Sequence, residues 1–129
     1  MKILGIDPGL VQTGFGIIYV KNNQANLINY GVIKPAAKDK LASRLLTIFN
    51  DVCEIITNYK PKVFVIEEVF YGKNVKSTLR LGQARGASMV AAASNNLPVY
   101  EYSARKVKQS LTGNGNAHKT QVQFMVKAK

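Results

Sequence analysis

The sequence predicts an α/β fold in which a mixed five-stranded sheet is flanked by helices. Three strand patterns separated by short turns come first, which predicts three antiparallel strands. Helical patterns then alternate with two further short strands, which predicts that these strands are added to the sheet in parallel. The chain has 129 residues, of which 47% are hydrophobic, enough for one domain with a sizeable core. We therefore predict a single domain over residues 1–129.

The first strand ends on a carboxylate and a turn. Ile3–Ile6 is an apolar run typical of a buried strand, so Asp7 emerges where the strand meets solvent. Pro8 fixes its own φ and Gly9 can adopt a positive φ, so the chain is predicted to turn directly after Asp7. Asp7 either caps this turn or serves as a functional group. The pattern of Thr13–Val20 predicts the returning strand of a hairpin.

The next elements complete the antiparallel strands and begin the helices. Asn22 and Asn23 predict a turn before a third strand over Ala25–Lys34, which Pro35 closes. Asp39 is the predicted N-cap of the first helix. Apolar residues of that helix recur with helical spacing: Leu41, Leu45, Ile48, Phe49, Val52, Ile55 and Ile56.

A second predicted buried strand is also followed by acidic residues. Val63–Ile66 is a continuous apolar run followed by Glu67 and Glu68. If this strand lies parallel to the first, Asp7 and one glutamate approach each other, and their repulsion calls for a cation. Oxygen ligands without His or Cys favour Mg²⁺ or Mn²⁺. Side chains alternate along a strand, so only one of the two glutamates faces the same way as Asp7, and the residues alone leave open which one.

The loop after the acids has the composition of a nucleic-acid contact. Phe70 and Tyr71 are adjacent aromatics beside Lys73 and Asn74, and aromatics in a basic loop stack on unpaired bases while a lysine meets phosphate. The alternative is that Phe70 folds back on the core.

A long helix is predicted over Val75–Asn95. Gly82 and Gly86 lie four residues apart, so we expect close packing against this helix, either by the sheet or by a second subunit. Arg80 and Arg85 are interpreted as exposed residues that contact phosphate or as ordinary surface charges.

The last third predicts one more strand and two helices. The strand covers Leu97–Tyr102, and the helices cover Ala104–Leu111 and the residues from Lys119 onward. His118 alone is weak evidence for a metal site, because zinc-type sites gather several His or Cys ligands.

Charge is the most informative global property. Eighteen Lys and Arg residues against seven Asp and Glu give a net charge of +11, which favours a polyanionic partner and above all nucleic acid. No basic amphipathic helix and no apolar run of roughly 20 residues indicates a membrane. The single Cys53 indicates a reducing, cytoplasmic setting.

Taken together, the motifs resemble those of the RuvC-type Holliday-junction resolvases. They are Leu4–Gly9, Ile66–Phe70 with Lys73 and Asn74, Leu81–Gly86, and Glu101–Gln109. The resemblance extends from Met1 to about Val126. It implies an RNase H-like fold and a homodimer that binds four-way DNA junctions. It also implies Mg²⁺-dependent nicking of two opposed strands, in partnership with the RuvA and RuvB branch-migration proteins.

The resemblance assigns roles to individual residues. Asp7 and Glu67 match two metal-binding catalytic acids of the family, which favours Glu67 over Glu68. Phe70 matches the aromatic residue that inserts at the junction centre, and Lys108 and Lys119 match lysines near the scissile phosphate. The implied chemistry is hydrolysis by two metal ions, one activating water and the other stabilising the departing oxygen.

One departure from the family pattern creates an alternative. The family's other two metal-binding positions lie further along the C-terminal helix, and no acid follows Glu101 in this sequence. We therefore also consider a shortened homologue that binds junctions without cleaving them. An actin-like or sugar-kinase-like ATPase fragment shares the opening turn, but it needs a second phosphate-binding hairpin and a second domain, which the sequence lacks.

Overall fold

The computed structural model describes residues 1–68 and 74–102, and within them it contains five strands and two helices. The elements are β1 Lys2–Asp7, β2 Thr13–Lys21, β3 Gln24–Ile33, α1 Leu41–Tyr59, β4 Val63–Glu67, α2 Val75–Ser94 and β5 Val99–Tyr102. The strands form one sheet in the order β3-β2-β1-β4-β5. Pairs β1–β2 and β2–β3 are antiparallel, whereas β1–β4 and β4–β5 are parallel. The predicted mixed five-stranded sheet is confirmed.

The hairpin between β2 and β3 turns on two asparagines. Lys21 pairs with Gln24, so Asn22 and Asn23 form a two-residue loop. Both have positive φ, 53° and 62°, the conformation that a type I′ turn requires and that Asn tolerates. The turn predicted at these residues is confirmed.

The predicted cap of α1 is wrong. The N-cap is Lys40, which makes no side-chain hydrogen bond to the helix. Asp39 lies one residue earlier, where its backbone N–H donates to the Ala36 carbonyl at 3.0 Å as part of a preceding turn. At the other end, Lys60 adopts the left-handed conformation and donates to the Ile56 carbonyl before Pro61, which is a common way to end a helix.

Both helices pack on one face of the sheet. Alternation along β1 places Leu4 and Ile6 on that face, and places Ile3, Gly5 and Asp7 on the opposite one. The core residues that are fully excluded from solvent come from the three central strands and both helices: Leu4, Ile6, Ile17, Ile48, Val52, Phe64, Ile66, Ala84, Ala91 and Ala92. The buried side of α2 consists of alanines and Ser88, which allows the helix to approach closely.

The glycines of α2 are not where the described chain packs closely. No atom lies within 4 Å of a Cβ built on Gly82 or Gly86. The expected packing of α2 against the sheet is made by its alanines, Ala84, Ala91 and Ala92, and not by the two glycines. A second subunit at the glycines stays a prediction. The prediction of one domain over residues 1–129 also stays a prediction, because residues 103–129 lie outside the described part. No helix in the described ranges is long and apolar enough to cross a membrane.

The turn after β1 needs glycine because of a close contact. No glycine in the described residues has a positive φ, so Gly9 does not use the left-handed conformation that its residue type permits. A Cβ on Gly9 would lie 2.4 Å from the carbonyl oxygen of Gln12. The fully buried Thr13 closes the turn, because its Oγ1 accepts from the Gly9 N–H at 3.2 Å and donates to the Gly9 carbonyl at 2.7 Å.

We predict that Gly9→Ala lowers the free energy of unfolding by about 1–3 kcal/mol, because the clash involves backbone and no rotamer change relieves it. Urea denaturation measures this loss. The matched control is Gly82→Ala, for which the open surroundings and the helical conformation predict a gain of about 0.5–1 kcal/mol. Equal effects of the two substitutions would contradict the close-contact explanation.

Candidate metal and nucleic-acid site

Asp7 and Glu67 lie side by side at one edge of the sheet. Gly5 pairs with Val65 and Ile6 pairs with Ile66 in the parallel register of β1 and β4, and Asp7 and Glu67 are the next residues of the two strands. Both side chains therefore project from the face that the helices do not cover. Neighbouring strands are about 4.8 Å apart, so the two carboxylates lie within a few ångströms of each other.

The register also separates Glu67 from Glu68. Glu68 follows the last residue of β4, and its backbone N–H donates to the carbonyl of Tyr102 at 2.8 Å. Only Glu67 has the parity of Asp7, so geometry and family resemblance select the same glutamate. Metal ligation by Asp7 and Glu67 remains a prediction.

Tyr102 is a third side chain on this face. It pairs with Glu67 across β4 and β5, and its side chain packs against Ile18 of β2. The ring therefore reaches from β5 toward β2 on the face of the sheet that carries Ile18. Sequence reasoning missed Tyr102, because its position beside Glu67 depends on the register of β4 with β5.

The Tyr102 hydroxyl is influenced by both acids. The oxygen is buried and has no hydrogen-bond partner among the described residues. Burial raises the pKa of Tyr102 most, and the negative charges of Glu67 and Asp7 raise it further. Tyr102 therefore stays protonated at physiological pH. Both carboxylates therefore lie close enough to Tyr102 to act on its hydroxyl.

The donor set at this edge fits a hard cation. Two carboxylates at this separation repel each other, and a divalent ion between them removes that cost. Oxygen donors select Mg²⁺ or Mn²⁺ over softer metals. Within residues 1–68 and 74–102 no group of three or more His, Cys, Asp or Glu side chains is gathered.

Arg85 differs from its predicted position. It was expected to be exposed, but its side chain is only 17% exposed and its Nη2 lies 2.6 Å from Oε2 of Glu101. Its Nε donates to the backbone carbonyl of Glu67 at 3.3 Å. The expectation of an exposed Arg85 is therefore wrong, since the residue is engaged under the edge of the sheet. No sequence pattern indicates the ion pair with Glu101, because it joins two elements, α2 and β5.

Arg80 and Asn74 lie at the start of α2. The Arg80 guanidinium donates to Oε1 of Gln83 at 3.2 Å on the helix surface. Asn74 is the N-cap, and its Oδ1 accepts from the Ser77 N–H at 3.1 Å. A DNA contact of Asn74 is thus limited to its amide nitrogen and the remaining capacity of Oδ1. Both residues remain predicted DNA contacts.

Several predicted site residues lie outside the described residues. They are Phe70, Tyr71 and Lys73 in the loop before α2, and Lys108 and Lys119 in the C-terminal part. Their roles stay predictions.

A second arginine anchors the loop that follows Asp7. Arg44 of α1 donates from Nη2 to the carbonyl of Leu10 at 3.2 Å. Helix α1 therefore holds the backbone beyond Asp7, as α2 holds that of Glu67. Sequence reasoning missed Arg44 because helical periodicity assigns it to neither the core nor a motif.

Comparison with known proteins gives one consistent result. The family model described as "Crossover junction endodeoxyribonuclease RuvC" matches residues 3–128. Proteins of that name from Saccharophagus degradans and Caldicellulosiruptor saccharolyticus are 52% and 46% identical to the chain, over 97% and 99% of it. These matches span 72% and 78% of the two relatives.

A solved structure agrees with the sequence comparisons. The Thermus thermophilus RuvC in complex with a Holliday junction substrate superposes with a TM-score of 0.80 at 31% identity, covering 87% of this chain and 72% of that one. The RNase H-like fold implied by the resemblance is thereby confirmed. The chain belongs to the RuvC family of crossover junction endodeoxyribonucleases.

Proposed function

We propose that this protein is a structure-selective endonuclease that binds four-way DNA junctions and nicks two opposed strands by metal-assisted phosphodiester hydrolysis, in recombination and repair. The observation that carries the proposal is the juxtaposition of Asp7 and Glu67 at adjacent ends of parallel strands, in a chain of net charge +11. The family relationship supports it. The comparisons give no support to the alternative of junction binding without cleavage.

The carboxylate pair is the proposed metal site. Asp7 and Glu67 would hold Mg²⁺, or Mn²⁺ in its place, because both are hard ions that accept carboxylate oxygens. When bound, the metal activates water and stabilises charge on the phosphate and the leaving oxygen. The turn closed by Thr13 keeps the backbone after Asp7 in place. Lys108 and Lys119 would neutralise the scissile phosphate.

The proposed DNA contacts surround this edge. Phe70 and Tyr71 would stack on unpaired bases at the junction centre, and Lys73, Asn74 and Arg80 would contact phosphates. Arg80 lies on the surface of α2, the helix that follows that loop. The high positive charge predicts binding that weakens steeply with salt.

The proposed partners follow the family. We propose a homodimer, supported by the outer side of α2, where Gly82 and Gly86 have open space and Val75, Leu79 and Val90 are 58–70% exposed. These residues recur at helical spacing and form one stripe. Cooperation with RuvA and RuvB and a cytoplasmic location are proposals from the resemblance.

Neutralising either acid is expected to abolish nicking of a synthetic four-way junction. Asp7→Asn and Glu67→Gln should each reduce the single-turnover rate in Mg²⁺ by more than about 100-fold, because loss of a direct metal ligand exceeds the 10–100-fold cost of losing its supporting residues. Denaturing gel electrophoresis measures the paired nicks. Mn²⁺ binding without DNA, measured by electron paramagnetic resonance, should weaken in the same variants.

The control is Asp51→Asn, the same chemical change on α1. Burial and the nearby Glu54 raise the pKa of Asp51, so the neutral amide is well tolerated there, and full nicking is expected. Undiminished nicking by Asp7→Asn and Glu67→Gln would refute the metal site. Junction binding by the unmodified protein without nicking would favour the cleavage-deficient alternative.

The dimer is tested on the stripe of α2. Leu79→Glu should shift the protein to a monomer in sedimentation experiments, because it would bury an unpaired charge in the interface. Leu46→Glu is the matched control, since Leu46 is a similarly exposed leucine on α1. A dimer that persists in Leu79→Glu would place the interface elsewhere.

A further inference from the structure

We propose that Arg85 is a positioning residue of the metal site, which holds the backbone of Glu67 from the helix-covered side of the sheet and is itself held by Glu101. The inference rests on the proposed function of the carboxylate pair. It assigns Arg85 a role different from the phosphate contact that its sequence motif suggested.

The nitrogens of the Arg85 guanidinium are directed into the protein. Nη2 pairs with Oε2 of Glu101 at 2.6 Å, and Nε donates to the Glu67 carbonyl at 3.3 Å. Nη1 lies 3.2 Å from the sulfur of Met89, one turn further along α2. With each nitrogen engaged and the side chain 17% exposed, Arg85 has little capacity left for a phosphate.

The contact with Glu67 is made where the sheet ends. Glu67 is the last residue of β4, and the pairing of β4 with β1 extends to Ile66. The next peptide is held from two directions, because Arg85 binds the Glu67 carbonyl while the Glu68 N–H donates to Tyr102 of β5. Fixing both sides of this peptide plane fixes the direction in which the Glu67 side chain leaves the strand.

Glu101 is placed to hold Arg85 and not to bind the metal. It pairs with Ile66, a core residue, so its side chain leaves β5 on the face where α2 lies. Asp7 and Glu67 project from the opposite face. The Glu101 carboxylate also balances the Arg85 charge. Glu101 thus serves the site through Arg85, on the other side of the sheet.

The test compares Arg85→Ala, Arg85→Lys, Glu101→Gln and the double variant Arg85→Ala/Glu101→Gln in the full chain. Four quantities are measured: junction affinity in Ca²⁺, the salt dependence of that affinity, the single-turnover nicking rate at saturating protein, and Mn²⁺ binding without DNA. Thermal unfolding verifies that each variant is folded. If Arg85→Ala fails to fold, the positioning role is still tested by the milder substitutions Arg85→Lys and Glu101→Gln.

A positioning role predicts a loss of rate and metal affinity with nearly unchanged junction binding. Arg85→Ala should lower the nicking rate by about 10–100-fold and weaken Mn²⁺ binding, as for other residues that support metal ligands. Arg85→Lys should not restore the rate, because an ammonium cannot reach the carboxylate and the carbonyl with a planar fork. The two single losses should not add in the double variant, since both break one network.

A phosphate contact predicts the opposite pattern. Arg85→Ala would then weaken junction binding, reduce the slope of affinity against salt by about one, and leave the rate at saturation intact. Arg85→Lys would restore binding, and Glu101→Gln would leave the nicking rate at saturation unchanged. Any of these results overturns the proposal. Lys62→Ala is the charge-matched control, because Lys62 is exposed beside the opposite end of β4.

The outcome is separable from that of the proposed function. If the unmodified protein does not nick junctions, the proposed function fails, while Mn²⁺ binding by Arg85→Ala still tests the positioning role. If nicking depends on Asp7 and Glu67 but Arg85→Ala changes neither rate nor metal binding, the proposed function stands and the positioning role is refuted.

Discussion

The parallel pairing of β1 with β4 is the constraint on which the site depends. It aligns Ile6 with Ile66 and so brings the following Asp7 and Glu67 to the same edge and the same face. A shift of one residue in this register would turn Glu67 toward the helices and Glu68 toward Asp7. The burial of Phe64 and Ile66 against the helices opposes that shift, because it would expose both side chains. Core packing therefore determines that Glu67, and not Glu68, lies on the same face of the sheet as Asp7.

The helix-covered face supports the site that the other face presents. Arg44 of α1 binds the carbonyl of Leu10, beyond Asp7, and Arg85 of α2 binds the carbonyl of Glu67. Each helix thus contributes one arginine to the backbone near one carboxylate. These two arginines therefore bind backbone carbonyls close to Asp7 and Glu67. Arg44 and Arg85 thus have a structural role, whereas Asp7 and Glu67 are the proposed metal ligands.

The chain has few acidic residues, and three of them lie at this edge of the sheet. The sequence contains seven Asp and Glu residues and eighteen Lys and Arg residues. The positions of the few carboxylates are therefore informative. Asp7 and Glu67 lie together on one face, whereas Glu101 is engaged with Arg85 on the other. Tyr102 lies between β2 and the acids and experiences both charges. The excess positive charge over the rest of the chain suits a nucleic-acid partner.

The order of the elements, the mixed sheet and the two strands that end in acidic residues were all predictable from the sequence. They follow from apolar periodicity and turn residues, which are features of short stretches of chain. The sequence also yielded the family, through motifs spread over nearly the whole chain. Tertiary structure decided what depends on register and packing: the parity of Glu67 with Asp7, the burial of Arg85 against Glu101, and the position of Tyr102. It also decided the requirement for glycine at Gly9, which comes from the Gln12 carbonyl and not from φ. Such contacts join residues distant in sequence or depend on the path of a turn, and no local pattern encodes them.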